Sequence, residues 1–176
     1  MARAPAVYLI TGPMAAGKST VARLLAARFE RGVHLEGDVF RRFVVSGRAD
    51  MTPEPSPAAL AQLRLRYWLA AAAADEYFAA GFSVALEDVV AGPFLAEYRE
   101  MIRSRPCHVV VVLPSLEAVS GREAGREDKG YVDGWTIDRH YADFVATTPR
   151  VGLWLDTSEQ EPEETVDEIL GAVPPS

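Results

Sequence analysis

Residues 12 to 20 read GPMAAGKST and follow the apolar run AVYLIT. Gly12, Gly17, Lys18 and Ser19 fit the spacing G-x-x-x-x-G-K-[ST], which holds phosphates. The glycines let backbone N–H groups turn inward around phosphate oxygens, and a helix starting at the loop adds its dipole. Gly12, Pro13, Met14, Ala15, Ala16, Gly17, Lys18, Ser19 and Thr20 therefore form a candidate nucleotide cradle. In it Lys18 reaches the β- and γ-phosphates and Ser19 ligates Mg²⁺. Thr20 lines the α-phosphate or caps the helix.

Three further groups suit phosphoryl chemistry. Asp38 closes the stretch LEGD, at the end of the second apolar run and the start of a helix. A carboxylate at the C-terminal end of a parallel strand lines the ligand crevice of an open α/β sheet. Asp38 is thus placed to take a proton from a substrate hydroxyl, and it also suits a helix N-cap. Glu87 and Asp88 end the run VALEDVV. Asp88 is the favoured member of that pair, as a Mg²⁺ or substrate ligand. Residues 121 to 134, GREAGREDKGYVDG, space Arg122 and Arg126 one helical turn apart among glycines. Such a segment can close as a lid and stabilise charge on a migrating phosphoryl group. Arg41 and Arg42 follow Asp38 closely and are candidates for holding an anionic or hydroxylated acceptor, or for plain surface residues.

Short β-branched runs alternate with helical segments along the chain, which predicts βαβ units and a parallel five-stranded sheet covered by helices. Strands are expected at 6–11, 33–37, 82–90, 107–113 and 151–157. CHVVVVL reads as a central strand, apolar on both faces. Helices are expected from Lys18 to a stop at Gly32, from Asp38, from Pro57 to about Ala80, and over 94–105, 115–128, 136–148 and 163–173. Ser56 and Pro57 form a start signal, and residues 46 to 57 read as a loop. Tyr67 and Trp68 on the long helix read as core residues more readily than as a pocket wall.

The 176 residues are 49% hydrophobic, which suits one domain over residues 1–176. Within it the lid spans about 121–134 and the acceptor side about 38–80. A net charge of −7 disfavours nucleic acid as partner. One cysteine, Cys107, precludes an internal disulfide and fits the cytoplasm. No run reads as a signal peptide or a membrane span. The chain lacks a guanine-reading N/T-K-x-D stretch, because its only lysines are Lys18 and Lys129. The three histidines lack metal-ligand spacing.

GPMAAGKST, LEGD, LEDVV and GREAGRED, in this order, resemble the P-loop small-molecule kinases related to chloramphenicol phosphotransferase. They are also similar to gluconate, shikimate and adenylylsulfate kinases. The resemblance implies a three-layer P-loop NTPase sandwich with strand order 2-3-1-4-5. It implies ATP with Mg²⁺ as donor, an aspartate base at Asp38, lid arginines at Arg122 and Arg126, and an adenine-side segment at 155–160. The expected activity is phosphorylation of a hydroxyl on a small molecule, such as an antibiotic or a sugar-like metabolite. The alternatives are a nucleoside or nucleotide kinase and a nucleotide-binding regulator without catalysis.

Overall fold

A computed structural model describes residues 3–125 and 134–173. Five strands form one parallel sheet: β1 (Val7–Thr11), β2 (Gly32–Glu36), β3 (Ser83–Glu87), β4 (Cys107–Val112) and β5 (Leu153–Leu155), in the order β2-β3-β1-β4-β5. This is the order that the motif resemblance implies.

The helices among the described residues are α1 (Lys18–Ala26), α2 (Val39–Arg42), α3 (Pro57–Ala79), α4 (Phe94–Met101), α5 (Leu116–Ala124), α6 (Ile137–Thr147) and α7 (Pro162–Ala172). None is long and apolar enough to cross a membrane.

The central strand β1 has no polar face, and strand geometry explains why. Side chains alternate between faces. Val7 and Leu9 join a core with α3, α4 and Phe144 of α6. Ala6, Tyr8 and Ile10 join a second core with α1 and α7. Both faces are covered by helices, so each residue of β1 is buried.

Local signals set most helix starts. The Ser56 hydroxyl accepts from the Ala59 N–H at 3.1 Å, with Pro57 in the first turn of α3. Glu161 and Glu164 form a capping box at α7. Several ends fall short of the sequence reading. α1 stops at Ala26, where Arg28 and Phe29 turn back onto the carbonyls of Leu25 and Ala26, so Gly32 opens β2 instead of ending the helix. α4 stops at Met101 because buried Asp75 of α3 accepts from the backbone N–H groups of Arg103 and Ser104. β5 has only three residues, matching its register on Val110–Val112.

Candidate phosphate and acceptor site

The loop between β1 and α1 leaves the C-terminal edge of the sheet. Gly17 sits there at φ 91°, a left-handed conformation that an L side chain strains to adopt. Lys18 is buried and its Nζ donates to the Pro13 carbonyl at 2.9 Å, folding the lysine back over the loop. The Met14 N–H donates to His140 Nε2 at 3.4 Å, so α6 also touches the loop. Burial, with Lys18 close by, pushes the His140 imidazole down to about 4 and keeps it neutral.

Strand alternation separates the two carboxylates that end β3. Ala85 belongs to the core under α1, so Glu87 points to that face. There it accepts from the Ser19 hydroxyl at 2.8 Å. Val84 and Leu86 belong to the core under α3, and Asp88 follows them. Asp88 Oδ1 accepts from Arg66 Nη2 and from the Val89 N–H, each at 2.8 Å. Asp88, favoured from the sequence as a Mg²⁺ or substrate ligand, is thus tied to Arg66, and Glu87 is the partner of Ser19. Burial, reinforced by Glu87 and Asp38, pushes the Asp88 carboxyl up to about 7 against the pull of Arg66.

Asp38 stands at the N-cap position of α2, yet its side chain makes no capping bond. Its Oδ1 accepts instead from Arg41 Nε at 3.1 Å and from Arg66 Nη1 at 3.2 Å. Oδ2 has no hydrogen-bond donor among the described residues, and the side chain is 47% exposed. Arg66 thus divides one guanidinium between half-exposed Asp38 and fully buried Asp88. The peptide before Asp38 is held too: the Gly37 N–H donates to the Glu87 carbonyl at 2.9 Å. A Cβ on Gly37 would collide with Asp88 Oδ2. Arg41 joins this group, and its Nη1 also donates to Asp50 at 2.8 Å. Arg42 does not join it; it pairs at the surface with Glu36 at 3.4 Å.

Arg122 lies in α5. Its Nη1 donates to the Ala16 carbonyl at 3.1 Å and its Nη2 to the Thr157 carbonyl at 2.9 Å. It therefore clamps the phosphate loop to the segment after β5. Arg126, the second arginine expected in the lid, and most of the 121–134 segment lie outside the described residues. Trp135, which follows that segment, donates from Nε1 to the Met51 carbonyl at 3.4 Å and meets the His140 ring edge-on at 5.3 Å.

Tyr67 is in the core and stacks on Tyr98 at 4.3 Å, but Trp68 is 57% exposed. The sequence reading missed Arg66 and Asp50. Arg66 had a signal, because it falls on the apolar face of α3 marked by Leu63, Tyr67 and Ala70. An arginine on such a face calls for a buried carboxylate. Asp50 had none, being one polar residue in a polar loop.

The AAA domain family (AAA_33) matches residues 7–148, and the chain belongs to that family. No curated protein matches the chain. Among solved structures it is similar to an adenylylsulfate (APS) kinase from Mycobacterium tuberculosis, solved with AMPPNP and APS. The two share 20% identity over 97% of this chain and 98% of that one, at a TM-score of 0.67. It is similar to an unliganded sugar kinase from Janibacter sp. HTCC2649, with 19% identity over 96% and 93% of the two chains and a TM-score of 0.65. A shikimate kinase from Acinetobacter baumannii, in complex with shikimate, shares 18% identity over 96% and 92%, at a TM-score of 0.63. The resemblance read from the four motifs thus holds at the level of family and fold.

Proposed function

We propose that this member of the AAA domain family is an ATP-dependent phosphotransferase acting on a hydroxyl group of a small molecule. The observation that carries the reading is the state of Asp38. One of its oxygens is clamped by Arg41 and Arg66, the other has no donor among the described residues, and the residue follows the C-terminal end of β2, on the sheet edge from which the phosphate loop also leaves. A carboxylate so held can accept the proton of an acceptor hydroxyl as its oxygen attacks the γ-phosphorus. The bond from that phosphorus to the bridging oxygen of the β-phosphate breaks, and ADP leaves with the electron pair.

The neighbouring residues suit the remaining tasks. Lys18 and the loop N–H groups bind the β- and γ-phosphates. Arg122 holds the loop against the 155–160 segment, where the adenine side is expected, and Arg126 is the second proposed lid arginine. Ser19 and Glu87 offer oxygen donors alone, which suits Mg²⁺, an ion that takes few protein carboxylates and shares its shell with phosphates. Bound there, Mg²⁺ would neutralise charge on the phosphates. Asp88 is left to the buried pair with Arg66 and acts through it on Asp38.

The test is an ATP-consumption assay with Mg²⁺ against sugars, nucleosides and hydroxyl-bearing antibiotics, with wild type beside Asp38→Ala. One acceptor class is expected to raise turnover, and Asp38→Ala to remove that rise while nucleotide binding stays. Preferred turnover with nucleosides or nucleoside monophosphates would move the reading to a nucleoside or nucleotide kinase. Tight ATP binding with no response to any acceptor, and no effect of Asp38→Ala, would refute catalysis.

A further inference from the structure

On the acceptor side, cations and carboxylates are matched one for one. Arg66 is held by Asp38 and Asp88. Arg41 is held by Asp38 at 3.1 Å and Asp50 at 2.8 Å. Arg48 is held by the second oxygen of Asp50 at 3.2 Å. Arg42 is held by Glu36. Leaving aside that surface pair, three arginines thus meet three carboxylates, and Glu87 is engaged by Ser19 besides. Asp50 is central to this balance. It sits in the loop between α2 and α3, and each of its oxygens takes a different arginine. The hydrogen bond from Arg41 holds its carboxyl below the usual carboxylate range, so Asp50 stays ionised at neutral pH.

An incoming anion would have to compete with a carboxylate already in place for each of these arginines. It would also approach Asp38 and Asp88 without relief of their charge. Displacing Asp50 from Arg41 gives up charge-assisted bonds that only an equally well-placed anion restores. An uncharged hydroxyl compound meets no such penalty, and the paired groups still offer donors and acceptors to its hydroxyls. Resting on the phosphotransferase reading of this site, we propose that Asp50 is a specificity-determining residue: by occupying Arg41 and Arg48 it makes the acceptor side select an uncharged hydroxyl compound over an anionic one.

The proposal predicts a gain on removal. Asp50→Asn keeps the side-chain shape, lies in a surface loop, and removes the carboxylate that holds Arg48 and the Nη1 of Arg41, while Asp38 keeps the Nε of Arg41. One measurement does not depend on turnover. Sulfate is titrated calorimetrically into the full chain with Mg²⁺ and a non-hydrolysable ATP analogue filling the phosphate loop. Asp50→Asn is expected to bind sulfate about tenfold or more tighter than wild type, the worth of one gained charge-assisted contact. Adding Arg41→Gln should cancel that gain. A second measurement compares matched acceptors, glucose against gluconate and shikimate methyl ester against shikimate. Wild type is expected to turn over the uncharged member of a pair faster. Asp50→Asn should shift the ratio of kcat/KM toward the anion by about tenfold. Sulfate binding equal in wild type and Asp50→Asn, or a wild type that prefers the anionic member, overturns the proposal. If no acceptor of either pair is used, the phosphotransferase reading is what these acceptors fail to support, and the sulfate titration still decides the role of Asp50.

Discussion

Arg66 and Asp88 form a buried ion pair, with Nη2 2.8 Å from Oδ1 and the side chains 11% and 1% exposed. The second amino group of the same guanidinium reaches Asp38, so the pair joins the interior of the sheet to the proposed acceptor side. Removing one member strands the other charge in a poorly solvating place. Arg66→Met should therefore cost about 3–5 kcal/mol of stability. The double change Arg66→Met with Asp88→Leu should recover most of that loss, since an apolar pair of similar volume leaves no buried charge. Urea unfolding of the three proteins checks both statements, and equal losses in the single and double variants would show that the pair is not what matters.

Gly37 tests the same junction from the backbone side. Its missing side chain makes room for Asp88 Oδ2, and its N–H donates to the Glu87 carbonyl. Gly37→Ala forces the Asp38 peptide and Asp88 apart. Overpacking of this kind typically costs about 1–3 kcal/mol. The expected outcome is a lowered Tm together with loss of acceptor-stimulated ATP consumption. Full activity at wild-type Tm would mean that the strand end yields without consequence.

The contrast between Glu87 and Asp88 shows how far the sequence could be read. The phosphate loop was legible because its spacing is a backbone requirement, local to nine residues. The sheet order followed from the motif resemblance, and the strands themselves from apolar runs of the right length. The assignment of Ser19 to Glu87 was not legible, because it depends on which face of β3 lies under α1. That is a tertiary fact, fixed by Ala85 joining the core with α1 and by Leu86 joining the core with α3. The early end of α4 was hidden for a similar reason, since Asp75 captures its exit from another helix. Arg66 was legible in principle, as a charge out of place on an apolar helical stripe.

Glu87 carries a prediction about the metal. Its carboxylate accepts from Ser19, and the two oxygens together are the proposed Mg²⁺ donors. Glu87→Gln keeps the hydrogen-bonding shape and removes the charge. The Mg²⁺ concentration giving half-maximal ATP consumption should rise by at least about 10- to 100-fold, the cost already seen when a group that merely supports a metal ligand is altered. Binding of metal-free nucleotide, followed by fluorescence, should change little. A Mg²⁺ requirement unmoved by Glu87→Gln would remove Glu87 from the metal site.

His140 gives the protein an acid-sensitive contact at the phosphate loop. Its Nε2 accepts from the Met14 N–H, which only the neutral ring can do. Burial first, and then the nearby Lys18 charge, push its titration down to about 4, while Asp143 pulls weakly the other way. An unfolded histidine titrates near 6.5, so between about pH 6.5 and 4 the unfolded chain binds a proton that the folded chain resists. The folded state is therefore undisturbed above pH 6.5 and loses stability as pH falls through this window. At about 1.4 kcal/mol per pH unit, the loss from this group reaches at most about 3 kcal/mol. His140→Gln retains a hydrogen-bond acceptor and cannot take up the proton. Urea unfolding at pH 7.5 and pH 4.5 should show wild type losing about 2–3 kcal/mol more than His140→Gln across that interval. Equal losses in the two proteins would place the acid sensitivity elsewhere, in carboxylates such as Asp75 whose pairing holds them ionised in the folded chain.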